Sequence, residues 1–357
     1  MLKVMAKLSR LFSENEIPYL DYRLTENLFC KYYDAINDAR SCTAYDARIK
    51  ALGIGIKTFI INNDSSTEKI AEFNKLRPKL NLHTGKDLAI KIAEFRTSRM
   101  QLAIDAFNVT DSIYHIVGRQ IGQLRIFNVP YEKINIENIH LDKNTPASIS
   151  FYDDKNFYTF NKSKSVLQKR FQVPKIFKDI NVEIIDEPLN LLLNLSKSDK
   201  LETYKAKQKG IDYVVLPLYN EKTYQIPEKS GLNQWNAGGR KRNENEVYIP
   251  IPIKIHQLYP TFFPKRDEPF LLELPDGKML NAKVCQDNGK ALMSNPNSDL
   301  GEWILRKILK KKVGELVTMN DLIYFGIDSI YVEKIQTPHY ETKHFKIAFT
   351  TMEYESF

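Results

Sequence analysis

One lysine, Lys57, interrupts an otherwise apolar run, Ile54-Gly55-Ile56-Lys57-Thr58-Phe59-Ile60-Ile61. Such a run reads as a strand at a central position in a sheet, where an ammonium is costly unless acids compensate it. Asp46 lies eleven residues earlier, within reach of a preceding strand or hairpin, and Glu72 lies fifteen residues later. Ser65 and Glu68 have capping-box spacing, which predicts a helix over 65–76 that Pro78 stops. From Lys57 the strand runs on for about 13 Å at about 3.3 Å per residue. The helix then returns about 9 Å at about 1.5 Å per residue, leaving Glu72 beside Lys57. Two carboxylates and a lysine on a sheet suit phosphodiester hydrolysis. The acids hold Mg²⁺, the metal polarises the phosphate and acidifies bound water, and the lysine steadies the attacking hydroxide. Glu26, expected on the first helix, is a further ligand for metal or water. Taken singly, Asp46 reads equally well as a surface carboxylate, Glu72 as a solvated helix residue, and Lys57 as a side chain snorkelling to an edge.

A second group lies in residues 231–252. Gly238 and Gly239 allow close backbone approach, and Arg240, Lys241 and Arg242 follow at once, with Trp235 and Asn236 before them. A forked guanidinium fits a guanine edge, and point charges fit phosphates; a solvated hairpin tip is the plain alternative. Residues from about 208 to 337 resemble the C-terminal DNA-recognition domain of the NgoFVII family of restriction endonucleases. That domain is related to the EcoRII effector domain, the BfiI C-terminal domain and the plant B-three pseudobarrel. The resemblance rests on Val214-Val215-Leu216-Pro217-Leu218-Tyr219, Ser230-Gly231-Leu232-Asn233, Arg242-Asn243 through Tyr248-Ile249-Pro250-Ile251-Pro252, Lys290-Ala291-Leu292-Met293-Ser294-Asn295-Pro296 and Leu300-Gly301-Glu302-Trp303-Ile304-Leu305-Arg306. It implies two loop arms in the major groove, at 235–242 and 289–297. Asn236, Arg240 and Arg242 from one arm, with Lys290, Ser294, Asn295 and Asn297 from the other, would then meet bases or phosphates.

The Lys57 group resembles the PD-(D/E)xK nucleases. It departs from their pattern at Gly55, two residues before the lysine, where they carry Asp or Glu; Glu72 is the expected migrated acid. Other nuclease chemistries lack their residues. The phospholipase-D-type site of some NgoFVII relatives needs His-x-Lys followed by Asp, but after His344-Phe345-Lys346 the Asp position holds Thr351. There is no Cys/His cluster for a zinc centre, and Thr84-Gly85-Lys86 lacks the upstream glycine of a Walker loop.

The 357 residues, with a net charge of +8 and three scattered cysteines, predict two domains, a polyanionic partner and a reducing cytoplasm. Neither a membrane span nor a signal peptide is expected. The organisation expected is an α/β mixed-sheet, restriction-endonuclease-like domain over 1–195, a basic linker over 196–210, a mainly β pseudobarrel over 211–337 and a tail over 338–357. In the first domain Thr25 is expected to cap a helix carrying Leu28, Phe29, Tyr32 and Ile36, a long helix spans 86–107, and hairpins fall at 112–127 and 148–160. Residues 161–165 read as a strand-to-helix phosphate loop or an ordinary helix start, and Arg96 and Arg99 as facing DNA or solvent. In the second, strands fall near 213–219, 246–253, 269–273, 278–285 and 329–334. One helix interrupts them, capped by Asp299 with Glu302 and ending in Lys310, Lys311 and Lys312. The expected function is a Mg²⁺-dependent type II restriction endonuclease acting on double-stranded DNA and leaving 5′-phosphates. Dimerisation and a cognate methyltransferase follow as expectations. The alternatives are a non-catalytic DNA-binding regulator and a nuclease subunit that needs an ATPase partner.

Overall fold

A computed structural model describes residues 1–38, 44–196, 213–335 and 343–352. The chain divides into two units. The first comprises residues 1–39, 45–97 and 109–208, and the second residues 40–44, 98–108 and 209–357. Residues 197–210 of the expected linker lie outside the described residues.

In chain order the first unit holds helices α1 (Leu2–Lys7), α2 (Tyr22–Tyr33), α3 (Arg77–Leu80) and α4 (Gly85–Phe107, to Thr97), and α5 (Pro188–Ser196). Its strands are β1 (Ile36–Asn37), β2 (Ala47–Ile49), β3 (Leu52–Ile60), β4 (Ser65–Glu72), β5 (Asp111–Gln120), β6 (Gln123–Pro130), β7 (His140–Asn144), β8 (Ser148–Tyr152), β9 (Phe157–Asn161), β10 (Val166–Gln172) and β11 (Lys178–Asn181). They form a six-stranded sheet, β1-β2-β3-β5-β6-β11, and a five-stranded sheet, β4-β10-β9-β8-β7. β3 and β5 run parallel, as a connection carrying a long helix requires. The other pairs in both sheets are antiparallel. Phe59 of β3 and Tyr114 of β5 meet Phe171 of β10, with ring centres 5.5 and 5.1 Å apart, so the two sheets share an aromatic core.

The strand over 54–61, the long helix and both hairpins lie where the sequence places them. Residues 65–76 do not form a helix. Asn63 and Asp64 adopt φ of 49° and 55° in a tight turn closed by the Asn62–Ser65 bridge, and the chain returns as strand β4. Paired positive-φ residues twist a two-residue turn to suit a hairpin, and β4 then pairs its main chain in the ladder to β10. Asp21, not Thr25, caps α2, accepting from the Leu24 N–H at 3.1 Å, and Ile36 lies beyond the helix on β1. Residues 161–165 link β9 to β10, so no helix N-terminus stands there. Arg96 faces inward, donating to the Glu132 carbonyl (2.8 Å) and the Tyr114 hydroxyl (3.3 Å).

The second unit holds β12 (Tyr213–Pro217), β13 (Ile249–Pro250), α6 (Ile253–Leu258), β14 (Pro269–Glu273), β15 (Met279–Cys285), β16 (Ala291–Ser294), α7 (Asp299–Gly301, continuing as a π-helical turn over Glu302–Ile308), α8 (Met319–Phe325), β17 (Ser329–Ile335) and β18 (His344–Thr350). The sheet order is β12-β17-β18-β14-β15-β16-β13, and β12 also touches β13, so the sheet curls toward closure. The expected end of this domain at 337 is corrected. β18 sits inside the sheet between β17 and β14, burying Phe345, Ile347 and Phe349 on alternate positions. Ser298 rather than Asp299 precedes α7, and Glu302 accepts from the Asn245 amide at 2.5 Å instead of closing a capping box. Lys311, from the basic run after that helix, pairs with Glu315 and Asp321 at 2.8 and 3.2 Å. No helix among the described residues is long and apolar enough to cross a membrane.

Candidate active site and nucleic-acid interface

Asp46 stands where β2 peels away from β3. Its N–H donates to the Ile54 carbonyl (2.9 Å), and its carboxylate accepts from the Ile56 N–H (2.7 Å), taking the place of the missing strand partner. Burial holds its carboxyl above the usual range, opposed by the charge of Lys57, the Ile56 N–H and Arg23. Glu26, 5% exposed on α2, is pushed up to about 7, first by burial and then by repulsion from Asp46; Arg23 and Lys57 pull it down. Lys57 makes no hydrogen bond or ion pair among the described residues. Its charge nevertheless bears on Asp46, Glu26 and Glu68.

Glu68 is the residue that the sequence reading misses. It lies on β4 opposite Lys169 of β10, holds the Ser66 hydroxyl at 2.7 Å, and is raised by burial against the pull of Ser66, Lys57 and Arg119. Glu72 is exposed, ion-paired with Lys69 at 3.0 Å and hydrogen-bonded to Asn74. Its expected approach to Lys57 depended on the helix that β4 replaces.

Gly55 has a steric reason. A Cβ there would lie 2.8 Å from the Tyr114 ring and 2.9 Å from that of Tyr131, and these rings stack at 3.9 Å between centres. An acid two residues before Lys57 has no room.

Among the described residues no three His, Cys, Asp or Glu side chains form a ready-made metal cage. Mg²⁺ does not need one, since it keeps several waters and takes one or two carboxylates with substrate phosphate. Glu26 and Asp46 suit it as hard oxygen donors, and their burial with mutual repulsion is relieved by a cation.

In the second unit the two arms divide into braces and free ends. Arg242 spends its guanidinium on the arm itself, donating to the carbonyls of Ala237 (2.6 Å), Gly238 (2.7 Å) and Arg240 (3.2 Å). Buried Glu246 anchors Arg240 at 2.6 Å and Arg242 at 3.5 Å. Arg240, with about half its side chain exposed, and exposed Lys241 project from the tip. Gly238 and Gly239 border open space, with φ of 91° at Gly239. Asn236 is exposed and donates to the Glu228 carbonyl at 3.0 Å, while Trp235 is half-buried. On the other arm Lys290 and Asn295 are exposed and Asn297 is partly so. Ser294 is fully buried, and its hydroxyl accepts from the Leu300 N–H at 2.9 Å, so it holds the helix start rather than facing a ligand. The base of the first arm is clamped as well. Arg306 donates to Asn245 Oδ1 (2.8 Å) and the Glu244 carbonyl (2.9 Å), and the Asn245 carbonyl lies so close over Gly301 that any Cβ would collide with it.

His344 and Lys346 lie 2.9 and 3.1 Å from Glu273 on the neighbouring strand.

Residues 206–336 match the family described as the NgoFVII C-terminal B3-like DNA-binding domain. This segment of the chain is a B3-like DNA-binding domain of that type. No curated protein matches the chain.

Proposed function

We propose that this chain, with its NgoFVII-type B3-like domain over 206–336, is a type II restriction endonuclease whose first unit is a PD-(D/E)xK-like nuclease. The observation that carries the reading is the convergence of Lys57's charge on three raised carboxyls, Glu26, Asp46 and Glu68. Perturbed acids around one lysine are a common mark of hydrolytic sites. Asp46 and Glu26 would hold Mg²⁺, and Glu68, in place of Glu72, is the further acid in the field of Lys57, acting on the water rather than the metal. The metal, when bound, supplies polarisation of the phosphate and a more acidic water. Lys57 steadies the attacking hydroxide and the charge that grows on the phosphate, and Glu68 accepts a proton from the attacking water. Hydrolysis with departure of the 3′ oxygen leaves a 5′-phosphate. Arg240, Lys241 and Asn236, with Lys290, Asn295 and Asn297, read or hold the duplex, while Arg242 and Ser294 keep the arms in shape. Double-strand cutting calls for a homodimer or two visits, and host DNA for a methyltransferase of the same specificity.

Incubating the chain with unmethylated duplex and Mg²⁺, then ligating the products without kinase treatment, tests this reading. Religation supports 5′-phosphate ends; ends that need phosphorylation contradict the chemistry. A non-catalytic regulator is the second reading, favoured by Asp46's structural bond to the Ile56 N–H. It expects binding without cleavage, and dependence on added ATP and cell extract would instead indicate a subunit.

A further inference from the structure

A groove of about 490 Å³ lies on one face of the six-stranded sheet, between α1 and α2. Its floor is set by register. His115 stands opposite Asn128, Val117 opposite Ile126, and Ile126 in turn opposite Lys178, so these side chains project from the same face. Leu2 of α1 and Ile180 of β11 pack on the cluster that holds Val117. Phe29 of α2 lies against the His115 ring, 4.7 Å between centres, so both helices wall this same face.

His115 is the polar group of that floor, 7% exposed. Its Nδ1 lies 2.9 Å from Asn128 Oδ1, which can only accept, so Nδ1 carries the proton. Burial holds the imidazole below its ordinary range, against the pull of that bond, and keeps the ring neutral near pH 7. Nε2 is then a lone-pair acceptor. It makes no hydrogen bond among the described residues, yet it is not sealed from solvent. A ligand that displaces the solvent there must bring a donor of its own, or the acceptor is left unsatisfied.

The rim is cationic. Lys3 of α1 and Lys178 of β11 line it, both exposed, and neither makes a hydrogen bond or ion pair among the described residues. No Asp or Glu among the described residues lines the groove. Asp179, next to Lys178, is turned to the opposite face of the sheet and held by Arg125 at 2.8 Å. The Thr25 hydroxyl is spent on the Asp21 carbonyl at 2.9 Å. Between floor and rim the lining is apolar, from Leu2, Leu28, Phe29, Ile126 and Ile180.

We propose that this groove binds a small phenolic carboxylate, its hydroxyl donating to His115 Nε2, its ring on the apolar lining and its carboxylate toward Lys3 and Lys178. One acceptor on an otherwise apolar floor calls for one donor on an otherwise apolar body. Two unpaired ammonium groups with no opposing acid call for an anion at the other end. A nucleobase answers these features less well, because its several edge groups would lie unsatisfied on aliphatic side chains. The inference needs neither metal nor cleavage and so stands apart from the nuclease reading.

Titration of the full chain with para-hydroxyphenylpropionate, phenylpropionate and tyramine, followed by ligand-observed NMR, tests it. Phenylpropionate lacks the donor, and tyramine replaces the anion with a cation. The phenolic acid should bind about 5-fold more tightly than phenylpropionate, as one neutral hydrogen bond implies. It should bind about 10-fold more tightly than tyramine, which meets two lysines with a like charge. His115→Phe should erase the first preference. Lys178→Ala, at an exposed position where the fold is not at stake, should narrow the second and leave the first intact. If His115→Phe does not fold, the ligand series on wild type and on Lys178→Ala decides alone. No binding at about 10 mM, a weak limit for a ligand of this size, overturns the proposal. Equal affinity for phenylpropionate or tyramine overturns it too. So does displacement of the phenolic acid by a short duplex, which would mark the groove as a DNA surface.

Discussion

Glu68 and Glu72 stand four residues apart on β4 yet project from opposite faces, because Ile70 has no partner in the β10 ladder. In an unbroken strand the two would share a face; one bulged residue reverses the alternation. Glu68, opposite buried Lys169, is turned inward, within the field of Lys57 and Arg119. Glu72, opposite Val166, is turned outward to Lys69.

The bulge therefore decides which acid lies within the field of Lys57. Glu68→Ala should slow DNA cleavage by about 100-fold or more, the scale of losing one group that acts on the transition state. Glu72→Ala should stay within about 2-fold, since it removes only an exposed ion pair. Rates from single-turnover digestion check both, with circular dichroism confirming the fold.

Installing the acid that PD-(D/E)xK nucleases carry two residues before the lysine should fail. Gly55→Glu forces a side chain into the stacked Tyr114–Tyr131 pair and should cost about 1–3 kcal/mol or more, as overpacked cores do. Urea denaturation would register a lower midpoint. An unchanged midpoint would mean that the rings yield freely.

Metal and pH should be linked through Glu26. Its folded pKa of about 7 exceeds the ordinary 4.5, so folding favours the protonated form. That contribution is complete below about pH 4.5 and is lost as pH rises through about 7. Asp46 and Glu68 are displaced in the same direction. Metal-free protein should thus lose thermal stability between about pH 5 and 8, and Mg²⁺ should raise Tm more at the upper end, by about 2–4 °C per kcal/mol of binding. Glu26→Gln should flatten both trends. Scanning calorimetry with and without chelator measures them.

The arm separates reading from bracing. Arg240→Ala should lower affinity for the cognate site by about 1–3 kcal/mol and spare random duplex. Arg242→Ala removes the donor to three loop carbonyls and should weaken both duplexes alike, through a disordered arm. Equal losses for Arg240→Ala would remove its base-reading role. Ser294→Ala should lower stability more than binding.

Much of the framework is legible in the residues. The apolar run around Lys57, the long helix and two hairpins declare themselves by period, whereas Asp46 is proposed from its nearness to that run and Glu26 from its place on the first helix. Ser65-x-x-Glu68 is a capping-box pattern, but the turn residues Asn63 and Asp64 and the β-branched Thr67 and Ile70 favour the strand that forms. Recognising them would have exchanged Glu72 for Glu68 only if the bulge at Ile70 could also be foreseen, and its cause lies in tertiary pairing. β18 is legible in the alternation Phe345, Ile347, Phe349, which the boundary at 337 passes over. The bracing role of Arg242 is not legible, because its partners are main-chain carbonyls of its own loop.

The central claim is that Asp46 and Lys57 belong to a metal-dependent site for cutting DNA. Digestion of unmethylated phage DNA with Mg²⁺, comparing wild type with Asp46→Ala and Lys57→Ala, tests it most directly. Discrete fragments from wild type alone, with all three proteins retaining duplex binding in a gel shift, are the predicted result. Intact DNA from every protein, or the same fragments from both variants, would contradict it.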